Sequence, residues 1–87
     1  MELKVDLKEL LKFCPFDDAT ALVSYNKTEI VIAFEWRKSG GEHSRLARHL
    51  NIFQMQQSII GADKCLLVEL HKMRYEMELA KNIDQPV

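Results

Sequence analysis

Five side chains in this sequence could hold a metal or serve as a nucleophile and base: Cys14, Cys65, His43, His49 and His71. His43 and His49 are six residues apart and fall on different sides of a helix, so they cannot chelate as an HxxxH pair does. Neither cysteine belongs to a CxxC pair, and no local signature marks either thiol as activated. Asp17-Asp18 follow Pro15-Phe16, a context that makes adjacent carboxylates a turn or cap before an acid–base pair. The expectation is therefore no catalytic residue, no metal ligand and no cofactor.

The remaining chemistry is electrostatic. Arg37, Lys38, Arg45 and Arg48, with His43 and His49 against Glu42, form a locally basic stretch. Gly40-Gly41 before a helix N-terminus could present free N–H groups to a phosphate. The spacing is neither GxxxxGK[ST] nor GxGxxG, so the preferred reading is a solvated connection whose charge suits an acidic protein partner. Within it, Leu46-Ala47-Arg48-His49-Leu50-Asn51-Ile52 resembles the middle of a helix-turn-helix unit. That resemblance, over about fifteen residues, implies a recognition helix at Phe53–Ile60 from which Gln54, Gln56, Gln57 and Ser58 would reach base edges. It departs from the motif at Gln57, where the second helix needs an apolar residue, and it lacks the Ser or Thr cap after Ile52.

Composition bounds what must position these groups. Eighty-seven residues allow one small domain, 1–87, which buries a modest core and gains from oligomerisation. With 47% hydrophobic and 29% charged residues, the chain is neither disordered nor low-complexity. Twelve basic against 13 acidic residues give no global attraction to polyanions or membranes. Two distant cysteines read as reduced thiols in the cytoplasm. The opening Met1–Asp6 has no apolar core of a signal peptide, and no apolar run reaches membrane-spanning length.

The element pattern predicts an α+β fold of αββαα layout, with 3–37 as helix plus β-hairpin and 44–82 helical. Asp6 and Glu9 make a capping-box variant, stapled by Val5 and Leu10. Leu3, Leu7, Leu10, Leu11 and Cys14 form one helical face that Pro15 ends. Ile30, Ile32, Phe34 and Trp36 alternate along a strand over Glu29–Arg37. Ala19–Tyr25 is its hairpin partner across Asn26-Lys27, where Asn tolerates a left-handed turn. Phe16, Tyr25 and Trp36 read as core or core rim, and Ser39-Gly40-Gly41 as a flexible break. Leu46, Ala47 and Leu50 then define a short helix over Ser44–Leu50.

From Ile52 the apolar positions run Met55, Ile59, Ala62, Leu66, Leu70, Met73, Met77 and Ala80. Their mean spacing is about 3.5 residues, that of a coiled-coil seam. Phe53, Ile60, Leu67 and Val68 broaden the stripe at its start. Gly61 either caps a helical hairpin or lies inside one helix from Phe53 to Asn82. Ile59-Ile60-Gly61-Ala62 offers a single turn residue, so the continuous helix is the expectation. Such a helix outreaches its own core, which predicts a homodimer through Ile59, Leu66, Leu70, Met73 and Met77. Function follows as a non-catalytic adaptor, inhibitor or other regulator that binds an unidentified protein. Arg37, Lys38, Arg45, Arg48, Gln54 and Gln57 are its candidate partner or nucleic-acid contacts, and a DNA-binding regulator is the alternative.

Overall fold

The computed structural model describes residues 6–38 and 40–84. Leu3, Val5 and Ser39 of the expectations above lie outside that range, as do Gln85-Pro86-Val87. The elements run α1 Leu7–Leu11, β1 Thr20–Tyr25, β2 Glu29–Arg37, β3 His43–Asn51, α2 Ile52–Gln57 and α3 Ala62–Asp84. The α+β class holds, with a third strand where a helix was expected.

α1 is short because little sustains it. Asp6 accepts the Lys8 N–H at 2.9 Å as its N-cap, while Glu9 pairs with Lys12 at 3.0 Å and makes no return bond to the cap. Leu10 is its one buried residue; Leu7 and Leu11, expected beside it, are exposed.

β1 and β2 pair antiparallel from Thr20 opposite Glu35 to Tyr25 opposite Ile30. Asn26 closes the turn by side-chain chemistry, with no left-handed backbone. Its Oδ1 accepts from the N–H groups of Thr28 and Glu29 and from the Thr28 hydroxyl, and no non-glycine described residue has positive φ. The β2–β3 loop is also tight, since Lys38 N–H donates to the Glu42 carbonyl at 2.7 Å. Gly41 supplies φ +87° there, a conformation L side chains rarely adopt. The loop leads into a strand, so the expected glycine-flanked helix N-terminus does not exist.

β3 completes a sheet of order β1-β2-β3 and overturns the helix predicted over Ser44–Leu50. Leu46 and Leu50 are four apart, a spacing that shares a face in a helix and in a strand alike. Their alternation was disguised by Arg48, which occupies the core-side position between them. The helix-turn-helix resemblance falls with this correction, because its first helix is β3.

One face of the sheet carries Ala21, Ile30, Ile32, Phe34, Trp36 and Leu50, all buried against the helices. Phe16 stacks on Trp36 with ring centroids 4.6 Å apart and planes 6° from parallel. The other face is open, with Leu22, Ala33 and Ala47 in one register row across the three strands.

The expected continuous helix is instead broken between α2 and α3. Asn51 caps α2 by accepting the Gln54 N–H at 3.0 Å, and Gly61 breaks the path at φ +88°. Space for a Cβ at Gly61 is open, so backbone conformation alone selects glycine. α3 then runs 23 residues, about 35 Å at 1.5 Å per residue, across the sheet. Lys81 Nζ donates to the Pro15 carbonyl at 2.8 Å, and Phe13 meets His71 edge-to-face, which tie α3 to the α1–β1 connection.

Candidate protein-interaction site

The two faces of α3 differ in what covers them. Ala62, Leu66, Leu70, Met73 and Met77 face the sheet and are buried in this chain's own core, with Met73 and Met77 at 0% exposure. Four of the five residues expected to carry self-association are therefore core residues of a single copy. The fifth, Ile59, is fully exposed in the turn between α2 and α3. This corrects the seam's role. Its 3.5-residue period reflects packing into one core shared with the sheet, α1 and α2.

A second apolar stripe occupies the far side of α3. Val68, Tyr75, Leu79 and Ile83 retain 43%, 63%, 45% and 85% of their surface. At 3.6 residues per turn they share an arc of about 80°. Val68 and Leu67, together with Phe53 and Ile60 near α2, were expected to widen the core, but all four are exposed. The stripe borders a shallow, mostly apolar depression of about 650 Å³ lined by Arg48, Val68, His71, Lys72, Tyr75 and Glu76.

Arg48 stands at the junction of two depressions. Its guanidinium pairs with Glu76 across the gap between β3 and α3. The Glu76 hydrogen bond holds the Arg48 proton more tightly than usual, with burial opposing and the charges of Glu76 and Glu69 assisting. Beyond that bridge a cleft of about 450 Å³ opens between β3, α2 and the start of α3. Its floor includes Leu50, Met55 and Cys65, and its rim Asn51, Gln54 and Glu69.

The six predicted contact residues do not converge. Arg48 and Gln54 line the cleft. Arg37 lines a separate polar depression of about 280 Å³ with Asp18, Thr20, Glu35 and His43. Arg45 lies on the open face of the sheet, 3.9 Å from Glu35. Lys38 begins the β2–β3 loop and Gln57 is exposed on α2.

Cys14 and Cys65 are free and half-buried. Burial pushes the Cys14 thiol above its ordinary range, against the lowering effects of a Phe16 backbone hydrogen bond and the Lys81 charge. Among the described residues, no three His, Cys, Asp or Glu side chains are grouped to hold a metal, and no helix is long and apolar enough to cross a membrane.

Sequence reasoning missed the outer stripe because it followed the single inner seam from Met55 to Ala80 and placed Val68 on its flank. The signal was present: Val68, Tyr75, Leu79 and Ile83 keep helical spacing among themselves, out of phase with Leu66, Leu70, Met73 and Met77. Compared with known proteins, the chain matches no family model, no curated protein and no solved structure.

Proposed function

We propose that this chain is a non-catalytic protein-binding module that self-associates through the outward face of α3 and acts as an adaptor, inhibitor or similar regulator in the cytoplasm. The observation that carries this reading is the exposed row Val68, Tyr75, Leu79 and Ile83 on a helix whose opposite face is already buried. Surface apolar residues scattered singly need no explanation, whereas a row along four turns of one helix does.

A second copy is the occupant that best fits the row. Tyr75 lies near its middle, with Val68 seven residues before and Ile83 eight after. An antiparallel copy centred there sets apolar against apolar at both ends, and the contact closes as a two-fold dimer. The depression beside Tyr75 gives each copy room to receive the other's ring, and buried tyrosines commonly anchor such contacts. Free thiols suit a reducing compartment.

Light scattering over a concentration series tests the reading. The parent chain shifts from monomer toward dimer mass as concentration rises, and a Tyr75→Glu, Leu79→Glu variant stays monomeric with an unchanged circular-dichroism spectrum. A parent that remains monomeric at high micromolar concentration refutes it.

A further inference from the structure

The outer row of α3 turns toward one edge of the sheet. Glu76, which reaches Arg48 on β3, falls between the buried row and the outer arc of the helix. Lys81, which reaches the Pro15 carbonyl before β1, falls on the opposite flank. The outer row therefore leans toward β3, and Arg48 and Val68 line both depressions on that side. One continuous surface joins the outer face of α3 to the edge of the sheet.

That edge is β3, the last strand in the order β1-β2-β3. Which of its backbone groups are free follows from the register. Thr28 accepts from the Ile52 N–H at 2.8 Å and Lys38 donates to Glu42 at 2.7 Å, so both ends of the β2–β3 ladder are hydrogen-bonded pairs. Antiparallel ladders alternate bonded and non-bonded pairs. Even-numbered residues of β3 therefore bond to β2, while His43, Arg45, Ala47, His49 and Asn51 turn their N–H and C=O groups outward. The whole strand pairs with β2 without a bulge, and neither proline nor glycine interrupts it. Edge strands that avoid pairing usually carry such devices. The Ala47 carbonyl accepts from Arg48 of its own chain at a long 3.4 Å, which leaves a lone pair for a second donor.

Two observations select a second copy as the occupant. The first is area. A stable interface buries about 800 Å² per partner. At about 200 Å² for a fully exposed large side chain, Val68, Tyr75, Leu79 and Ile83 together retain under about 500 Å². The helix row alone falls short, and the adjoining edge supplies more. The second is symmetry. Ala47 is the middle residue of His43–Asn51, and it precedes Arg48, whose partner Glu76 follows Tyr75. A two-fold axis beside Ala47 thus also runs close to the residue about which two α3 helices would pair. Around that axis Arg45 faces His49, Leu46 faces Arg48 and Ser44 faces Leu50, so no arginine meets an arginine. Arg45 and Arg48 keep their own carboxylates, Glu35 and Glu76, and the fit asks no charge of either histidine.

We propose that the dimer joins the two sheets as well as the two helices. β3 of one copy pairs antiparallel with β3 of the other about Ala47, making one six-stranded sheet over which the outer faces of the two α3 helices meet. The outward backbone groups of Arg45, Ala47 and His49 then exchange hydrogen bonds between copies. The inference rests on the self-association read from α3 and specifies its geometry.

Solvent exchange of backbone amides tests the pairing, followed by NMR on the unaltered chain at a concentration where light scattering gives dimer mass. The reference is the Tyr75→Glu, Leu79→Glu variant at the same concentration. The N–H groups of Arg45, Ala47 and His49 should exchange about tenfold or more slower in the parent. Dimer mass with these amides exchanging as in the variant overturns the sheet pairing and leaves the helix contact standing. A parent that stays monomeric overturns both. Ala47→Pro removes one outward N–H per copy without touching the β2 ladder, since proline is tolerated on edge strands. It should weaken the dimer about tenfold or more. An undiminished dimer from this variant, with an unchanged circular-dichroism spectrum, also overturns the proposal. Where the variant unfolds, amide exchange in the parent decides.

Discussion

The inner and outer faces of α3 carry similar numbers of large apolar side chains, yet they do different work. Leu66, Leu70, Met73 and Met77 lock the helix to the sheet, whereas Val68, Tyr75, Leu79 and Ile83 leave roughly half or more of their surface in water. The contrast teaches that periodicity reveals a sticky face but not what the face sticks to. The tertiary partners decide that: β3 and α2, neither of them expected in these positions, help cover the inner row within one copy.

Substitutions on the inner face should have the largest effect. Met73→Ala or Met77→Ala removes a fully buried side chain and should cost about 2–5 kcal/mol by urea denaturation. At concentrations where the chain is monomeric, Tyr75→Ala or Leu79→Ala should change stability by no more than about 0.5 kcal/mol. Equal losses on both faces would break the distinction. Next in size is Gly61→Ala, which asks a side chain to adopt φ +88° and should cost about 1–2 kcal/mol although nothing crowds the new methyl.

The Arg48–Glu76 pair, bridging β3 to α3, should contribute less. Its side chains are 31% and 44% exposed, so a double-mutant cycle with alanines should return about 0.2–1 kcal/mol, shrinking with added salt. The smallest effect concerns Cys14, beside the buried face. Burial holds its thiol protonated more firmly in the fold than in the unfolded chain. The associated stability is complete below the ordinary thiol range and is lost as pH rises through the folded-state value. Melting curves from neutral to alkaline pH should therefore show a decline that Cys14→Ala flattens.

Much of the fold was legible, and the misses have local causes. β2 was read to its last residue because Ile30, Ile32, Phe34 and Trp36 alternate without interruption, and Asn26 marked its turn even though the mechanism was a side-chain cap. β3 was lost because Arg48 interrupts an apolar face that contains only Leu46 and Leu50. An arginine reaching across an edge to Glu76 is invisible until α3 is placed. The break at Gly61 was weighed and set aside, since one glycine inside an apolar run costs a helix little unless the backbone turns there. The residues expected to carry self-association fall on the row of α3 that the fold buries, because that inner row is longer and more regular than the outer one.

Thermal unfolding as a function of protein concentration tests the role of the outer face most directly, because a partner bound only to the folded state raises the midpoint by mass action. The parent chain should melt at rising temperature as concentration increases, and the Tyr75→Glu, Leu79→Glu variant should melt at one temperature throughout. A parent midpoint that does not move, or a variant midpoint that still climbs, contradicts the account.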